Sequence, residues 1–77
     1  MTREAQHVLP QEGQWAVKAE NAQKASKLFD SKRMAIGYAY DLAKDQEAFL
    51  VIHDEDGTVD RFEATEDTNK LIQMVVG

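Results

Sequence analysis

The stretch from His53 to Gly57 reads HDEDG and is the densest group of potential metal ligands in the chain. Calcium loops place oxygen ligands at alternating positions, with glycine at the sixth position and a bidentate glutamate at the twelfth. Counted from Asp54, oxygen-bearing side chains do alternate, but the sixth residue is Val59 and the twelfth is Thr65. Asp-Gly between two apolar runs is typical of a hairpin turn. We therefore predict a turn here and no calcium site.

Two histidines, His7 and His53, could come together as a zinc site. Zinc usually takes four ligands, so without cysteine the set would need carboxylates, which are too frequent here to discriminate. A histidine on a strand is more often a half-exposed packing residue. We predict no metal and no cofactor. We also expect the acids beside His53 to favour its charged form and to make the turn mildly pH-sensitive.

Nucleophilic and phosphate chemistry lack their usual patterns. Ser26 and Ser31 are the only serines, and neither lies in a G-x-S-x-G elbow. The four glycines are scattered, so no glycine-rich phosphate loop exists. A 77-residue chain also offers little room for a pocket that buries a substrate. These observations predict a protein that is not an enzyme and has no catalytic residues.

An aromatic residue among basic ones is the pattern that binds single-stranded nucleic acid on a sheet. The candidate contacts here are Trp15, Lys18, Lys24, Lys27, Lys32 and Arg33. Charge argues against this function, because the chain carries a net charge of −5 and would repel a phosphate backbone. Residues 1–44 hold seven basic and five acidic side chains, whereas residues 45–77 hold two and nine. Trp15 also alternates with Val17, which indicates a core anchor.

Alternation and turn residues predict the elements that must position these side chains. Gln6–Pro10 reads as a strand, Gly13 as a turn residue with positive φ, and Gln14–Glu20 as a half-buried strand. Lys24–Phe29 reads as a third strand, with helix as the alternative. Later in the chain, two further runs read as strands at residues 49–53 and 58–64.

The clearest helix is Ser31–Gln46, capped by Asp30 or Ser31. Its apolar stripe repeats at spacings of three and four, with Ile36 and Tyr40 widening it. The stripe consists of Ala35, Tyr38, Ala39, Leu42 and Ala43. Gly37 inside the helix indicates either close approach by another backbone or simple tolerance. In the last strand Val59 and Phe62 fall on opposite faces, which a twist or bulge near the turn would reconcile.

Thr65 is a good N-cap for a short C-terminal helix. This segment carries a second apolar stripe that either caps its own sheet or forms an interface between two chains. The stripe consists of Leu71, Ile72, Met74, Val75 and Val76.

Together these elements predict an α+β fold in one domain covering residues 1–77. Its small antiparallel sheet is built from hairpins in the order β-β-β-α-β-β-α, with one main helix packed on the sheet. No apolar run approaches the length of a membrane span, and no signal segment opens the chain. We expect a cytoplasmic protein with no membrane contact.

Several short segments resemble a bacterial family of short proteins known as domain of unknown function 2188. They are HVLP within Gln6–Pro10, WAVK at Trp15–Lys18, KASKLFDSKRMAI at the helix entry, and LVIHDEDG at the turn. The resemblance covers about residues 6–59. It implies a bacterial source but no catalytic residues, because the family has no established function.

The prediction for function is therefore a small interaction module that is not an enzyme. We expect it to self-associate, as a homodimer, and to bind a protein partner, since a thin core without disulfides gains stability from association. The alternative is a small nucleic-acid-associated protein that uses the basic residues between 18 and 33.

Overall fold

The computed structural model describes residues 4–65. Its elements in chain order are β1 (Ala5–Gln11), β2 (Gln14–Ala19), β3 (Lys27–Phe29), α1 (Lys32–Asp45), β4 (Phe49–His53) and β5 (Val59–Glu63). This order confirms the α+β class, and it makes the segment before Asp30 a strand rather than a helix. The predicted C-terminal helix lies outside the described residues.

A two-residue turn connects β1 to β2. Gln11 pairs with Gln14, and both residues between them have positive φ, 51° at Glu12 and 82° at Gly13. This combination matches the type I′ turn, whose twist suits a hairpin. Gly13 takes the backbone conformation that the sequence predicts for it.

Helix α1 begins and ends with capping structures. The Ser31 hydroxyl accepts a hydrogen bond from the Met34 amide at 3.2 Å, so Ser31 is the N-cap rather than Asp30. At the other end, the Ala48 amide donates to the Ala43 carbonyl and the Glu47 amide donates to the Lys44 carbonyl. This pair of bonds is a Schellman motif with Glu47, at φ 54°, in the left-handed position.

The core lies between α1 and one face of the sheet, which we call the helix-covered face. Val8, Val17, Leu50 and Ile52 on the three inner strands are fully buried there. The helix contributes Ala35, Ile36, Ala39, Tyr40 and Ala43. Its small alanines let α1 lie close to the sheet, as the predicted stripe requires.

The five-stranded sheet has the order β3-β2-β1-β4-β5, and β1 pairs with β4 in parallel. The predicted all-antiparallel sheet is therefore wrong, and the sheet is mixed. Strand direction explains the error. β1 and β3 run in the same direction. Helix α1, about 21 Å long, returns the chain to the end of the sheet at which both strands start. A strand that starts there runs parallel to both.

Strand β5 pairs with β4 in one continuous antiparallel register, from Phe49 with Glu63 to His53 with Val59. No bulge interrupts this pairing. Phe62 packs on the helix-covered face, whereas Val59 lies on the opposite face and is 55% exposed. The apparent irregularity in the sequence is thus a regular strand with an exposed valine. No helix in residues 4–65 is long and apolar enough to cross a membrane.

Candidate functional site: the open face of the sheet

The second face of the sheet carries no helix within residues 4–65, and we call it the open face. The strand registers align its side chains in three rows across the sheet. The first row consists of Leu28, Ala16, Leu9, His53 and Val59. The second consists of Lys18, His7, Val51 and Arg61. The third consists of Glu20, Ala5, Phe49 and Glu63.

The first row is apolar except for one histidine, and it crosses all five strands. Its two ends are exposed large hydrophobic side chains, Leu28 at 42% and Val59 at 55%. The other two rows end in charged side chains: Lys18 and Arg61 in one, Glu20 and Glu63 in the other. Between these ends Leu9 and His53 are half-buried and Ala16 is buried, so the exposed apolar surface of the row lies at its two ends. Exposed apolar surface bordered by polar residues is typical of a binding surface.

The two histidines meet on this face. His7 Nδ1 lies 3.0 Å from His53 Nε2, and His7 Nε2 lies 2.8 Å from a carboxylate oxygen of Glu20. The His7 and His53 ring centroids are 5.3 Å apart with 30° between the planes. That separation is close to the largest that a 3.0 Å N···N contact allows. The rings therefore meet edge to edge along a single N–H···N hydrogen bond.

This alignment suits a shared proton better than a metal ion. Zinc holds ligand nitrogens at about 2.0–2.1 Å with their lone pairs converging on one point. Here the two nitrogens of His7 and His53 point at each other, and the second nitrogen of His7 already contacts Glu20. Among the described residues, no group of three or more histidine, cysteine, aspartate or glutamate side chains could hold a metal ion.

The charge state of His53 differs from the sequence expectation. Burial, and then the neighbouring His7, lower the pKa of His53 below its usual 6.5. The adjacent acid does not offset this, because the Asp54 carboxylate turns to Lys32 at a distance of 2.8 Å. The expectation that flanking acids favour the charged form of His53 is therefore wrong.

The acids of HDEDG organise the turn itself. The Asp54 amide donates to the Thr58 carbonyl, and the Gly57 amide donates to the Asp54 carbonyl, with Gly57 at φ 92°. The Asp56 carboxylate accepts from both the amide and the hydroxyl of Thr58. These carboxylates bind their own backbone and neighbours, so the predicted hairpin turn is confirmed.

The residues of the nucleic-acid alternative do not share one surface. Trp15 packs against the core on the helix-covered face, with Lys32 Nζ 5.5 Å from its ring centroid. Lys27 Nζ lies over the Phe29 and Tyr38 rings on that same side. Lys18 lies on the open face, while Lys24 and Arg33 are exposed elsewhere. Trp15 is the core anchor that its alternation predicts, and nucleic-acid binding stays a prediction.

Two depressions lie beside the histidine pair. The larger, about 660 Å³, is lined by His7, Glu20, Val51, Val59 and Arg61 together with Glu4, Ala5 and Asn21. The smaller, about 350 Å³, includes Leu9, Lys18 and both histidines in its lining. Arg61 stacks on Phe49, with its guanidinium carbon 4.2 Å from the ring centroid.

Sequence reasoning missed Leu28, Val59 and Arg61 as site residues. The sequence shows that Val59, Arg61 and Glu63 share one face of the strand, but it does not show which face of the sheet the helix covers. The interface predicted at Leu71, Ile72, Met74, Val75 and Val76 lies outside the described residues.

Comparison with known families agrees with the resemblance drawn from the sequence. The model of the family described as an uncharacterized protein conserved in bacteria (DUF2188) matches residues 6–61. The chain, an α+β domain, belongs to this uncharacterized bacterial family.

A similar curated protein is the uncharacterized protein YdaT of Bacillus subtilis (strain 168), which is 36% identical over 61 residues. The match covers 79% of this chain but only 41% of the relative, so the chain spans less than half of that protein. No solved structure matches the chain.

Proposed function

We propose that this protein is an interaction module without enzymatic activity that self-associates through the open face. The observation that carries the proposal is the apolar row from Leu28 to Val59 on a sheet face that no described element covers. Covering such a face with a second apolar face lowers the free energy by about 25 cal/mol for each Å² of apolar surface removed from water. A second copy of this chain is the partner to which the proposal commits.

Charge supports a second copy as the partner. The four charged side chains of the three rows are Lys18, Arg61, Glu20 and Glu63, and they sum to zero, although the whole chain carries −5. Two copies would repel through most of their surfaces, but two open faces can approach without net repulsion. Self-association through the open face therefore brings no net charge of that face together.

The geometry also fits pairing between copies. Sheets pack face to face about 10 Å apart with their strands nearly aligned. A twofold axis that runs along the apolar row, midway between the two sheets, superimposes the apolar rows of the two copies. Each residue of the row then meets its own equivalent, and the charged rows of the two copies lie on opposite sides of the axis.

Sedimentation velocity across protein concentration tests this proposal. We expect the wild-type chain to form dimers at micromolar concentration, and Leu28→Lys or Val59→Lys to weaken the dimer at least tenfold. The matched control is Met34→Lys, because Met34 is 61% exposed on α1, away from the open face. This variant replaces an exposed apolar side chain by lysine in the same way and should leave the dimer intact.

Two outcomes would contradict the proposal. The first is a monomer at high micromolar concentration. The second is a dimer that only Met34→Lys weakens. A version lacking residues 66–77 separates the remaining alternatives for the C-terminal stripe. Stronger association after the truncation would mean that this segment covers the open face within its own chain. Loss of the dimer would place the interface in the segment itself, which is a third outcome that contradicts the proposal.

A further inference from the structure

We propose that the Glu20–His7–His53 hydrogen-bond chain makes association through the open face pH-dependent, so that the dimer opens as the pH falls. This inference rests on the proposed function and adds its regulation. It is carried by the position of the histidine pair, which lies within the surface that association would bury.

The pair occupies the middle of the open face. His53 lies in the apolar row, paired with Val59 on β5 and level with Leu9 on β1. His7 lies in the next row between Lys18 and Val51. A second sheet that covers the apolar row therefore covers the N···N hydrogen bond as well.

Proton positions follow from the contacts. In the neutral state, His7 Nε2–H donates to the Glu20 carboxylate, which leaves His7 Nδ1 to accept from His53 Nε2–H. One added proton can be held without breaking either bond. A second added proton would leave two N–H groups facing each other. The pair thus changes from neutral to a single positive charge as the pH falls.

The surroundings make that charge costly in a dimer. Lys18 lies directly opposite His7 on β2, and Arg61 lies across Val51 on β5. Glu4 lines the larger depression, and the Asp54 carboxylate is bound by Lys32. Among residues 4–65, Glu20 is the only acid that is hydrogen-bonded to the pair, and its side chain keeps 43% exposure.

Protonation changes the balance of the open face from zero to +1 for each copy. Two such faces repel, and each charge loses water when the sheets meet. Burial and His7 already lower the pKa of His53 in the single chain. Covering the face with a second sheet strengthens the same effect, so the dimer binds protons less well than the monomer does. Linkage then requires the dissociation constant to rise as the pH falls.

The experiment measures the dimer dissociation constant by sedimentation between pH 8 and 5. We expect the wild-type constant to rise several-fold as the pH falls from 7.5 to 5. His53→Gln should flatten this profile, because its amide can still donate to His7 Nδ1 but does not titrate. Met34→Lys should follow the wild-type profile, since Met34 is remote from the pair.

Failures of the two proposals can be told apart. A monomer at every pH overturns both proposals. A dimer whose constant does not change with pH, or tightens in acid, overturns only the regulation. An NMR titration of the imidazole nitrogens gives an independent readout. One proton taken up by the coupled pair between pH 8 and 5 supports the mechanism, and two independent titrations at ordinary pKa values overturn it.

Discussion

Gln6 is a polar side chain in the middle of the sheet, and it is only 2% exposed. Its amide nitrogen donates to Gln46 Oε1 at 3.0 Å, but its own Oε1 accepts no hydrogen bond from the described residues. A buried acceptor without a partner costs about 1–3 kcal/mol. The predicted strand Gln6–Pro10 is confirmed, but the sequence did not show that Gln6 would lie beneath the C-terminal end of α1.

We expect Gln6→Met to raise the free energy of unfolding by about 1 kcal/mol, because it removes the unpaired oxygen and keeps the side-chain volume. Gln46 is exposed and can bind water in place of Gln6. Urea denaturation measures the change. Gln46→Ala is the control with the opposite sign, since it leaves the whole Gln6 amide unpaired. A destabilised Gln6→Met would mean that Oε1 has a partner.

Asp56 stabilises the turn between β4 and β5 by accepting two hydrogen bonds from Thr58. Hydrogen bonds from the Thr58 hydroxyl and then from the Thr58 amide lower the pKa of Asp56 below 3.8. Because the folded-state pKa is depressed, this contribution is complete above pH 3.8 and is lost as the pH falls through the folded value. We expect Asp56→Ala to lower the urea midpoint at pH 7 and to reduce its dependence on pH below 4.

Asp56→Asn is the matched control, because it keeps an oxygen that can accept from Thr58 but does not titrate. It should destabilise less than Asp56→Ala at pH 7 and show the same reduced dependence on acid. Equal midpoints for wild type and both variants would show that the carboxylate does not stabilise the turn.

The elements themselves were largely predictable because their signals are local. Ser31 and Gln46 bound the helix as the sequence predicted, and Asp56-Gly57 forms its turn. What the sequence left open at Gly37 is now resolved: an added Cβ there would meet nothing within 4 Å. Gly37 is therefore tolerated rather than required, whereas Glu47 occupies a left-handed position that favours glycine.

Two substitutions should stabilise helix α1: replacing the glycine in its interior, and introducing a glycine just after its C-terminal end. We expect Gly37→Ala to add about 1 kcal/mol, the difference between glycine and alanine inside a helix. Glu47→Gly should add about 1 kcal/mol by relieving the positive φ. The two sites are ten residues apart, so their effects should add in urea denaturation.

Gly57→Ala is the control for this pair of changes. It also has open space around its Cβ position, but its φ is 92°. The same glycine-to-alanine change should therefore destabilise at Gly57 and stabilise at Gly37. Equal signs at the two positions would show that backbone conformation does not decide the outcome.

At the scale of the whole molecule, the pairing of β1 with β4 was beyond the sequence signals. It joins residues more than forty positions apart, such as Ala5 and Phe49. No local pattern in the sequence specifies beside which strand the chain continues after α1. The histidine contact depends on this register, because His7 aligns with Val51 and so lies diagonal to His53. The sequence could pair the two histidines only as a possibility, and it could not show which face stays open.

Net charge gives a whole-molecule prediction that separates the proposed function from its alternative. Each chain carries −5, while the charged side chains of the open face sum to zero, so repulsion between two copies acts mainly through the rest of their surfaces. Salt screens such long-range repulsion and hardly weakens apolar contact. We therefore expect the dimer dissociation constant to fall several-fold when sodium chloride is raised from 0.05 to 0.3 M, in sedimentation at fixed pH. Nucleic-acid binding has the opposite dependence, because it releases counterions and weakens with salt. A labelled single strand that binds at low salt and dissociates at 0.3 M, together with a dimer that weakens in parallel, would favour the basic residues between 18 and 33 over the open face.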